Sequence, residues 1–169
     1  LNLKDHDLYK PTSQLSIGEK QTISQPTTVA IMLELLEIQD GHNILDIGSG
    51  SGWTTALCAK LVGEKGRVTG VERIPSLVAL GRLNAQEYPE LPINIEQATD
   101  TLGKPGEVFD RILVSAAATD VPEILLTQLK TGGRLVIPIN NEIQIIDRID
   151  EDNFNTQSLY GFRFVPLIL

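Results

Sequence analysis

The chain has 169 residues, of which 41% are hydrophobic and 21% are charged, values typical of one soluble globular domain with a substantial core. Its net charge of -8 at pH 7 and its pI near 4.7 argue against nucleic acid as a partner, because contacts to phosphates rely on clustered Lys and Arg. No apolar run approaches the roughly 20 residues that a membrane-crossing helix needs, so no membrane association is expected. Cys58 is the only cysteine and no secretory leader opens the sequence, which together predict a cytoplasmic protein.

Short runs rich in Val and Ile alternate with helical segments along the chain. The runs have the composition of buried strands and lie at 43–47, 67–71, 93–98, 110–116 and 134–139. Helical segments lie between them at 53–62, 75–88 and 122–130, closed by Gly63, Pro89 and the pair Gly132 and Gly133. This alternation predicts a doubly wound α/β fold, with a mostly parallel sheet and helices on both faces.

The end of the sheet is predicted to run differently. Asn140 and Asn141 separate the fifth strand from an alternating run at 142–147, which is the spacing of a tight hairpin in which Asn tolerates positive φ. A second turn at 152–155 leads into 159–168. We therefore predict a seven-stranded sheet that ends in an antiparallel C-terminal hairpin.

The strongest chemical signal is DIGSGSG at 46–52, where the first strand turns into a helix. Glycines let the backbone approach a ligand, and the helix N-terminus that follows offers N–H groups. Trp53 stands where the dinucleotide fingerprint requires glycine, which disfavours a pyrophosphate. Trp53 is interpreted either as a lid on the ligand or as a helix residue packed on the sheet. The motif predicts a nucleoside-like ligand contacted by Asp46, Gly48, Ser49, Gly50 and Gly52.

Two acidic residues extend this prediction. Glu72 ends the second strand, where an open α/β sheet presents a carboxylate to two ribose hydroxyls; a solvated strand end is the alternative. Asp100 closes the third strand and is predicted to contact adenine, with an exposed loop aspartate as the alternative. The β-branched Thr99 and Thr101 flank it and could crowd the base. Together with the glycine motif, the two acids favour an adenosyl ligand.

Six features of the sequence occur in an order typical of one family. They are QTISQP at 21–26, DIGSGSG at 46–52, Glu72, FDRILVSAAA at 109–118, QLKTGGRLVIP at 128–138 and FVPL at 164–167. The set resembles the protein-L-isoaspartate O-methyltransferases. The glycine motif is shared by S-adenosylmethionine-dependent methyltransferases with a Rossmann-like sheet, whereas the segments at 23–26, 129–138 and 164–167 are specific.

The resemblance implies a repair enzyme that transfers a methyl group from S-adenosylmethionine to the free α-carboxylate of L-isoaspartyl residues in damaged proteins. It also implies that the last two strands are exchanged relative to most such methyltransferases, in agreement with the predicted hairpin. The partners would be isoaspartyl-containing proteins and peptides. We expect a single domain over 1–169, with 1–40 as the substrate-side segment and helix and 41–169 as the cofactor-binding sheet. No feature predicts assembly, so a monomer is expected.

The QTISQP segment precedes a helix whose apolar face is formed by Val29, Met32, Leu33 and Leu36. Serine is a favoured N-cap, which is the structural alternative for Ser24. Because the residue before proline avoids helical angles, Gln25 is instead predicted as the cap and Pro26 as the first helical residue. Ser24 then lies outside the helix, beside the positive end of its dipole, and an anion site is predicted there.

The resemblance assigns catalysis to Ser24, and the predicted substrate-binding residues are Thr22, Ser24, Gln25 and Val165. A carboxylate needs no general base, and His6 and His42 are interpreted as surface residues. Two alternatives stay open. One is another S-adenosylmethionine-dependent methyltransferase acting on a small molecule or RNA, and the other is a non-catalytic nucleotide-binding or NAD-linked protein. No metal site is predicted.

Overall fold

The computed structural model describes residues 15–18, 21–23 and 25–167. In chain order their elements are β1 (Leu15–Gly18), β2 (Gln21–Ile23), α1 (Pro26–Leu36), β3 (Asn43–Ile47), α2 (Trp53–Val62), β4 (Arg67–Glu72), α3 (Pro75–Ala85), β5 (Ile93–Gln97), β6 (Phe109–Val114), α4 (Glu123–Thr127), β7 (Leu129–Ile139), β8 (Glu142–Arg148) and β9 (Phe154–Tyr160).

The centre of the molecule is a seven-stranded sheet in the order β5-β4-β3-β6-β7-β8-β9. The pairs from β5 to β7 are all parallel, whereas β8 is antiparallel to β7 and β9 is antiparallel to β8. The tight turn between β7 and β8 contains Asn140 at a φ of 53°. The predicted α/β class and the antiparallel end of the sheet are therefore confirmed. The separate two-stranded sheet formed by β1 and β2 was not predicted from the sequence.

Alternate residues of the central strands pack on opposite faces of the sheet, as the period of a strand requires. Leu45 and Ile112 belong to the cluster that α4 covers through Leu125. Ile44 and Leu113 belong to the opposite cluster, which contains Met32 and Leu36 of α1 and Cys58 and Val62 of α2. All four of these sheet residues are 1% exposed or less. Burial on both faces explains why the central strands appear in the sequence as continuous apolar runs.

Two predicted helices are shorter in the structure. The segment predicted at 122–130 is helical only over Glu123–Thr127, and β7 begins at Leu129, five residues before the predicted strand. Leu129 pairs with Phe109 of β6, and both side chains are fully buried. This tertiary pairing overrides the local preference for helix. The segment predicted at 75–88 ends at Ala85.

The predicted seventh strand is present, but its predicted bounds at 159–168 are wrong. The last strand is Phe154–Tyr160, and the following residues leave the sheet edge. In β9 six of the seven residues are exposed, so the strand lacks the apolar pattern from which strands are recognised. The apolar residues that follow it instead run towards β6, where Pro166 forms an isolated parallel bridge with Ala117.

The start of α1 follows the prediction. Gln25 is the N-cap, with φ of -55° and ψ of 132°, and Pro26 is the first helical residue. Val29, Met32 and Leu36 are buried, as the predicted apolar face requires. No helix within the described ranges is long and apolar enough to cross a membrane.

Candidate functional site

A cleft opens at the edge of the sheet where β3, β4, β5 and β6 end. Its walls include the residues that close these strands or follow them, at 48–51, 72–74, 98–103 and 115–116. The carboxyl ends of parallel strands are where open α/β sheets bind their ligands. The N-terminal hairpin, the start of α2 and the C-terminal segment complete the cleft. It is therefore the candidate functional site.

Three glycines shape the loop between β3 and α2. Gly48, Gly50 and Gly52 have φ values of 79°, 52° and 80°, a left-handed conformation that residues with a Cβ rarely adopt. A Cβ at Gly52 would also lie only 3.3 Å from the carbonyl oxygen of Gly81 in α3. The glycines thus let the loop turn sharply against α3 and present the N-terminus of α2 beside the cleft.

The carboxylate of Glu72 is held by backbone groups at the edge of the cleft. Its Oε2 accepts a hydrogen bond from the N–H of Gly50 at 2.9 Å, and its Oε1 accepts one from the N–H of Ile74 at 2.9 Å. The residue is 7% exposed and lines the cleft. Each carboxylate oxygen has a second lone pair, so Glu72 can still accept hydrogen bonds from a pair of neighbouring hydroxyls.

Asp46 lies behind the glycine loop and is fully buried. Its carboxylate accepts hydrogen bonds from the hydroxyls of Thr55 at 2.6 Å, Thr54 at 2.9 Å and Ser115 at 3.4 Å. Burial raises the pKa of the Asp46 carboxyl, although the three hydroxyls oppose this shift. Asp46 therefore joins the start of α2 to the end of β6 underneath the cleft. A direct contact between Asp46 and a ligand stays a prediction.

Asp100 is exposed on the wall of the cleft, three residues beyond the end of β5. The hydroxyl of Thr99 donates to the carbonyl of Thr101 at 3.1 Å and accepts from the N–H of Thr101 at 3.4 Å. Both threonines also line the cleft. The hydroxyl of Thr99 thus closes a turn that places the Asp100 carboxylate at the cleft.

The C-terminal segment reaches the cleft as a short extended stretch. The carbonyl of Val165 accepts a hydrogen bond from the N–H of Ala117 at 2.8 Å, and the N–H of Leu167 donates to the carbonyl of Ala117 at 2.7 Å. Val165, Pro166 and Leu167 all line the cleft. The FVPL motif is therefore part of the site and is fixed to the residues that follow β6.

The N-terminal hairpin contributes one described side chain to the cleft. Ile17 of β1 lines it, and its Cδ1 lies 3.1 Å from the position that a Cβ on Gly50 would take. Thr22 lies in β2, paired with Ser16, and its side chain lies outside the described part of the structure. Gln25 caps α1 and is not among the residues that line the cleft. Ser24, to which catalysis was assigned, lies outside the described residues.

Most of the predicted ligand contacts meet in this one cleft. The cleft is lined by Gly48, Ser49, Gly50, Glu72, Asp100 and Val165. Gly52 and Asp46 lie directly behind these lining residues. Trp53 also lines the cleft and is partly buried, so both interpretations of this residue stay open. His42 is partly exposed and accepts a hydrogen bond from the N–H of Gln39, away from the cleft. His6 lies outside the described residues.

Sequence reasoning missed Ile17, Ser115 and the wall formed by Leu102 and Gly103. Ser115 follows β6 directly, so its position at the end of a parallel strand was a usable signal. Ile17 and the 102–103 wall carry no such signal, because only the tertiary fold brings them to the site.

The cleft fits an adenosyl group. The Glu72 and Asp100 carboxylates are acceptors suited to ribose hydroxyls and an exocyclic amine, and Ile17, Val71 and Leu77 supply apolar surface for a flat base. The hydroxyl oxygen of Ser49 is buried in the loop without a hydrogen-bond partner among the described residues. That oxygen is available to a bound ligand. No group of His, Cys, Asp or Glu that could hold a metal ion occurs in the part of the chain that the structure describes.

Comparison with known sequences agrees with the geometry of the cleft. Residues 4–169 match the model of the family described as protein-L-isoaspartate(D-aspartate) O-methyltransferase (PCMT). A protein-L-isoaspartate O-methyltransferase of Methanopyrus kandleri is 44% identical over 163 residues, covering 92% of this chain and 72% of that protein. Another, of Aliivibrio salmonicida, is 47% identical over 170 residues, covering 96% of this chain and 78% of that protein.

Solved structures match as well. A Plasmodium falciparum protein described as a protein-L-isoaspartate O-methyltransferase, crystallised with S-adenosyl-L-homocysteine, superposes with a TM-score of 0.83 at 27% identity. The match covers 92% of this chain and 79% of that one. A second structure of a protein-L-isoaspartate O-methyltransferase gives a TM-score of 0.81 at 27% identity, covering 90% of this chain and 50% of that one. On its family model, its relatives and its fold, this chain belongs to the protein-L-isoaspartate(D-aspartate) O-methyltransferase family.

Proposed function

We propose that this chain transfers a methyl group from S-adenosylmethionine to the free α-carboxylate of L-isoaspartyl residues in damaged proteins. The observation that carries the proposal is the meeting of three elements in one cleft. These are the glycine loop at 48–52, the backbone-held carboxylate of Glu72, and the FVPL segment at 164–167. The first two suit the cofactor, and the third is one of the segments that distinguish the family from other methyltransferases.

The cofactor would lie along the carboxyl ends of β3, β4 and β5. Glu72 would accept hydrogen bonds from the two ribose hydroxyls, since both of its oxygens are already aligned by the N–H groups of Gly50 and Ile74. Gly48, Ser49 and Gly50 would border the amino-acid portion, and Asp100 would meet the adenine. When bound, S-adenosylmethionine supplies a methyl group already activated by the positive charge on sulfur.

The substrate side would be formed by the C-terminal segment and the start of α1. Val165 is fixed at the cleft by its hydrogen bond from Ala117, which would let its backbone guide an extended peptide. Gln25 caps α1 without a side-chain hydrogen bond to it, and the positive end of the α1 dipole would favour a carboxylate. Ser24 is proposed as the catalytic hydroxyl and Thr22 as a further substrate contact, on the family motif alone.

The protein's task in this reaction is placement. A carboxylate at neutral pH is already a nucleophile, so no residue has to remove a proton from it. Alignment of the two reactants can contribute up to about 7 to 11 kcal/mol in favourable cases. Ile17 and Trp53 lie on the cleft walls, where they would help to exclude water from the reacting groups.

We further propose that the chain acts as a single domain and a monomer in the cytoplasm. The sheet is continuous from β5 to β9, and α1 packs on it in the same cluster as α2, which supports one unit. Cys58, the only cysteine of the sequence, is a free and buried thiol, which suits a reducing compartment. Sedimentation velocity would test the monomer, with a concentration-independent single species as the expected result.

The proposal is tested with a pair of peptides that differ only in an L-isoaspartyl or an L-aspartyl linkage at one position. With labelled S-adenosylmethionine, the isoaspartyl peptide should be methylated and its aspartyl twin should not. Equal labelling of both peptides, or of neither although the protein binds S-adenosylhomocysteine, would contradict the proposed substrate. The second outcome would favour a methyltransferase acting on another acceptor.

A further inference from the structure

A buried glutamine lies next to one wall of the cofactor cleft. Gln128, between α4 and β7, is 1% exposed. Its side-chain Oε1 accepts a hydrogen bond from the N–H of Lys104 at 2.7 Å, and its Nε2 donates to the carbonyls of Leu102 at 3.0 Å and Ile124 at 3.1 Å. Both N–H donors of the amide and one lone pair of its oxygen are therefore used, and two of its three bonds hold backbone groups 24 and 26 residues earlier in the chain.

The loop that Gln128 holds passes directly over the amide. Gly103 has a φ of 75°, and a Cβ on it would come far too close to the Oε1 of Gln128. Only glycine allows this approach without displacing the amide or the loop. The loop and the amide therefore form a matched pair.

The main chain of Gln128 is fixed as firmly as its side chain. Its carbonyl accepts a hydrogen bond from the N–H of Phe109 at the start of β6, and its N–H donates to the carbonyl of Leu125. On the other side of the loop, the ammonium group of Lys104 pairs with Glu96 of β5 at 3.0 Å. The loop is thus held between the two parallel strands that it connects.

Leu102 and Gly103 line the cleft next to Thr99, Asp100 and Thr101. Gln128 does not itself line the cleft, but its bonds to Leu102 and Lys104 hold the end of this wall. A buried amide that only supported the core would not need to bridge to a loop on the ligand side. We propose that Gln128 is a positioning residue that fixes the 99–103 wall against the cofactor's base and so sets the affinity and base selectivity of the cofactor site. This inference rests on the cofactor site proposed above.

The test uses the whole chain and two ligands, S-adenosyl-L-homocysteine and its deaminated counterpart S-inosyl-L-homocysteine, with affinities measured by isothermal titration calorimetry. In Gln128→Leu the affinity for S-adenosylhomocysteine should fall by about tenfold, the change that 1.4 kcal/mol produces. The preference for the adenosyl over the inosyl ligand should fall as well. Because the reacting groups lie elsewhere, KM for S-adenosylmethionine should rise while kcat stays within about threefold of its original value.

Gln128→Glu is the isosteric variant. It keeps an acceptor for the N–H of Lys104 but turns its second oxygen towards the carbonyls of Leu102 and Ile124, so affinity should fall at least as far as in Gln128→Leu. Gly103→Ala disturbs the same pair from the loop side and should also lower affinity and base preference. Gly103→Ala decides the question if the Gln128 variants do not fold. Ile143→Val, a core change in β8 away from the cleft, is the control for lost stability alone and should leave both ligand affinities unchanged.

Unchanged affinity and unchanged base preference in the folded Gln128 and Gly103 variants would overturn the inference. So would a parallel loss of kcat and affinity with the base preference intact, because that pattern indicates general damage to the fold. Failure of the unmodified protein to bind S-adenosylhomocysteine would overturn the cofactor assignment itself, and this inference with it.

Discussion

Glu72→Gln is the substitution that probes the cofactor site most informatively. The carboxylate accepts one backbone N–H on each oxygen, from Gly50 and from Ile74, both at 2.9 Å. A glutamine amide has the same shape but only one oxygen, and its NH2 group is a donor. One of the two N–H groups would therefore face another donor, and the other would bond to a neutral acceptor in place of a charged one.

The magnitude follows from these bonds. Hydrogen bonds to charged groups contribute about 1.5 to 3 kcal/mol each, so loss of one and weakening of the other should lower the free energy of unfolding by about 2 kcal/mol. If Glu72 also accepts two ribose hydroxyls, the variant loses one of those bonds as well. Affinity for S-adenosylhomocysteine should then fall by about 10- to 100-fold.

The assay combines calorimetric titration of S-adenosylhomocysteine with denaturant unfolding, both at a temperature at which the variant is folded in the absence of denaturant. Glu142→Gln on β8 is the matched control, because among the described residues that carboxylate accepts from the side chains of Gln144 and Ser158 and lies away from the cleft. It should change ligand affinity by less than about twofold. A Glu72→Gln protein that loses stability but binds the ligand as tightly as before would refute the proposed ribose contact.

Three further predictions follow from the site and its supports. Gly52→Ala should lower the free energy of unfolding by about 1 kcal/mol or more, because φ is 80° there and the new Cβ would press on Gly81. It should also lower ligand affinity; urea unfolding and calorimetric titration would measure the two effects. Burial opposes ionisation of Asp110, but Lys130 and the N–H of Asn43 outweigh it and lower its pKa. The ionised Asp110 therefore stabilises the fold above its ordinary pKa of 3.8, and this stabilisation is lost as pH falls through the lower pKa of the folded state. Asp110→Asn should thus lower the free energy of unfolding at pH 7 but not at a pH below the folded pKa, as unfolding curves measured over this pH range would show. Ser24→Ala should bind S-adenosylhomocysteine normally and lose methyl transfer to isoaspartyl peptide in the labelling assay; loss of ligand binding would contradict its place on the substrate side.

Features encoded locally were predictable from the sequence. The glycine loop, the bounds of β3 and α2, and the cap of α1 at Gln25 and Pro26 each depend on a few adjacent residues and match the structure. The antiparallel direction of the last strand pairings could also be predicted, because Asn140 marks a tight turn. Glu72 could be placed at the cleft since strand ends in a parallel sheet share one edge.

Features that depend on distant parts of the chain were not predictable. The strand β9 is exposed on most of its length and has no apolar period, so the neighbouring apolar segment was mistaken for it. The first residues of β7 are strand because Leu129 pairs with Phe109, a contact invisible in the local pattern. The end of the 99–103 wall is held by Gln128 through Leu102 and Lys104, and only the tertiary fold brings these residues together.

Repair of isoaspartyl linkages by this chain can be followed through repeated turnover of one peptide. An L-isoaspartyl peptide is incubated with the protein and excess S-adenosylmethionine, and its methyl ester, succinimide and aspartyl forms are separated by liquid chromatography and identified by mass spectrometry. We expect the α-carboxyl methyl ester to form first and the aspartyl peptide to accumulate over successive cycles, only when both protein and cofactor are present. An isoaspartyl peptide that remains unmethylated, or an ester on the aspartyl side chain, would contradict this expectation.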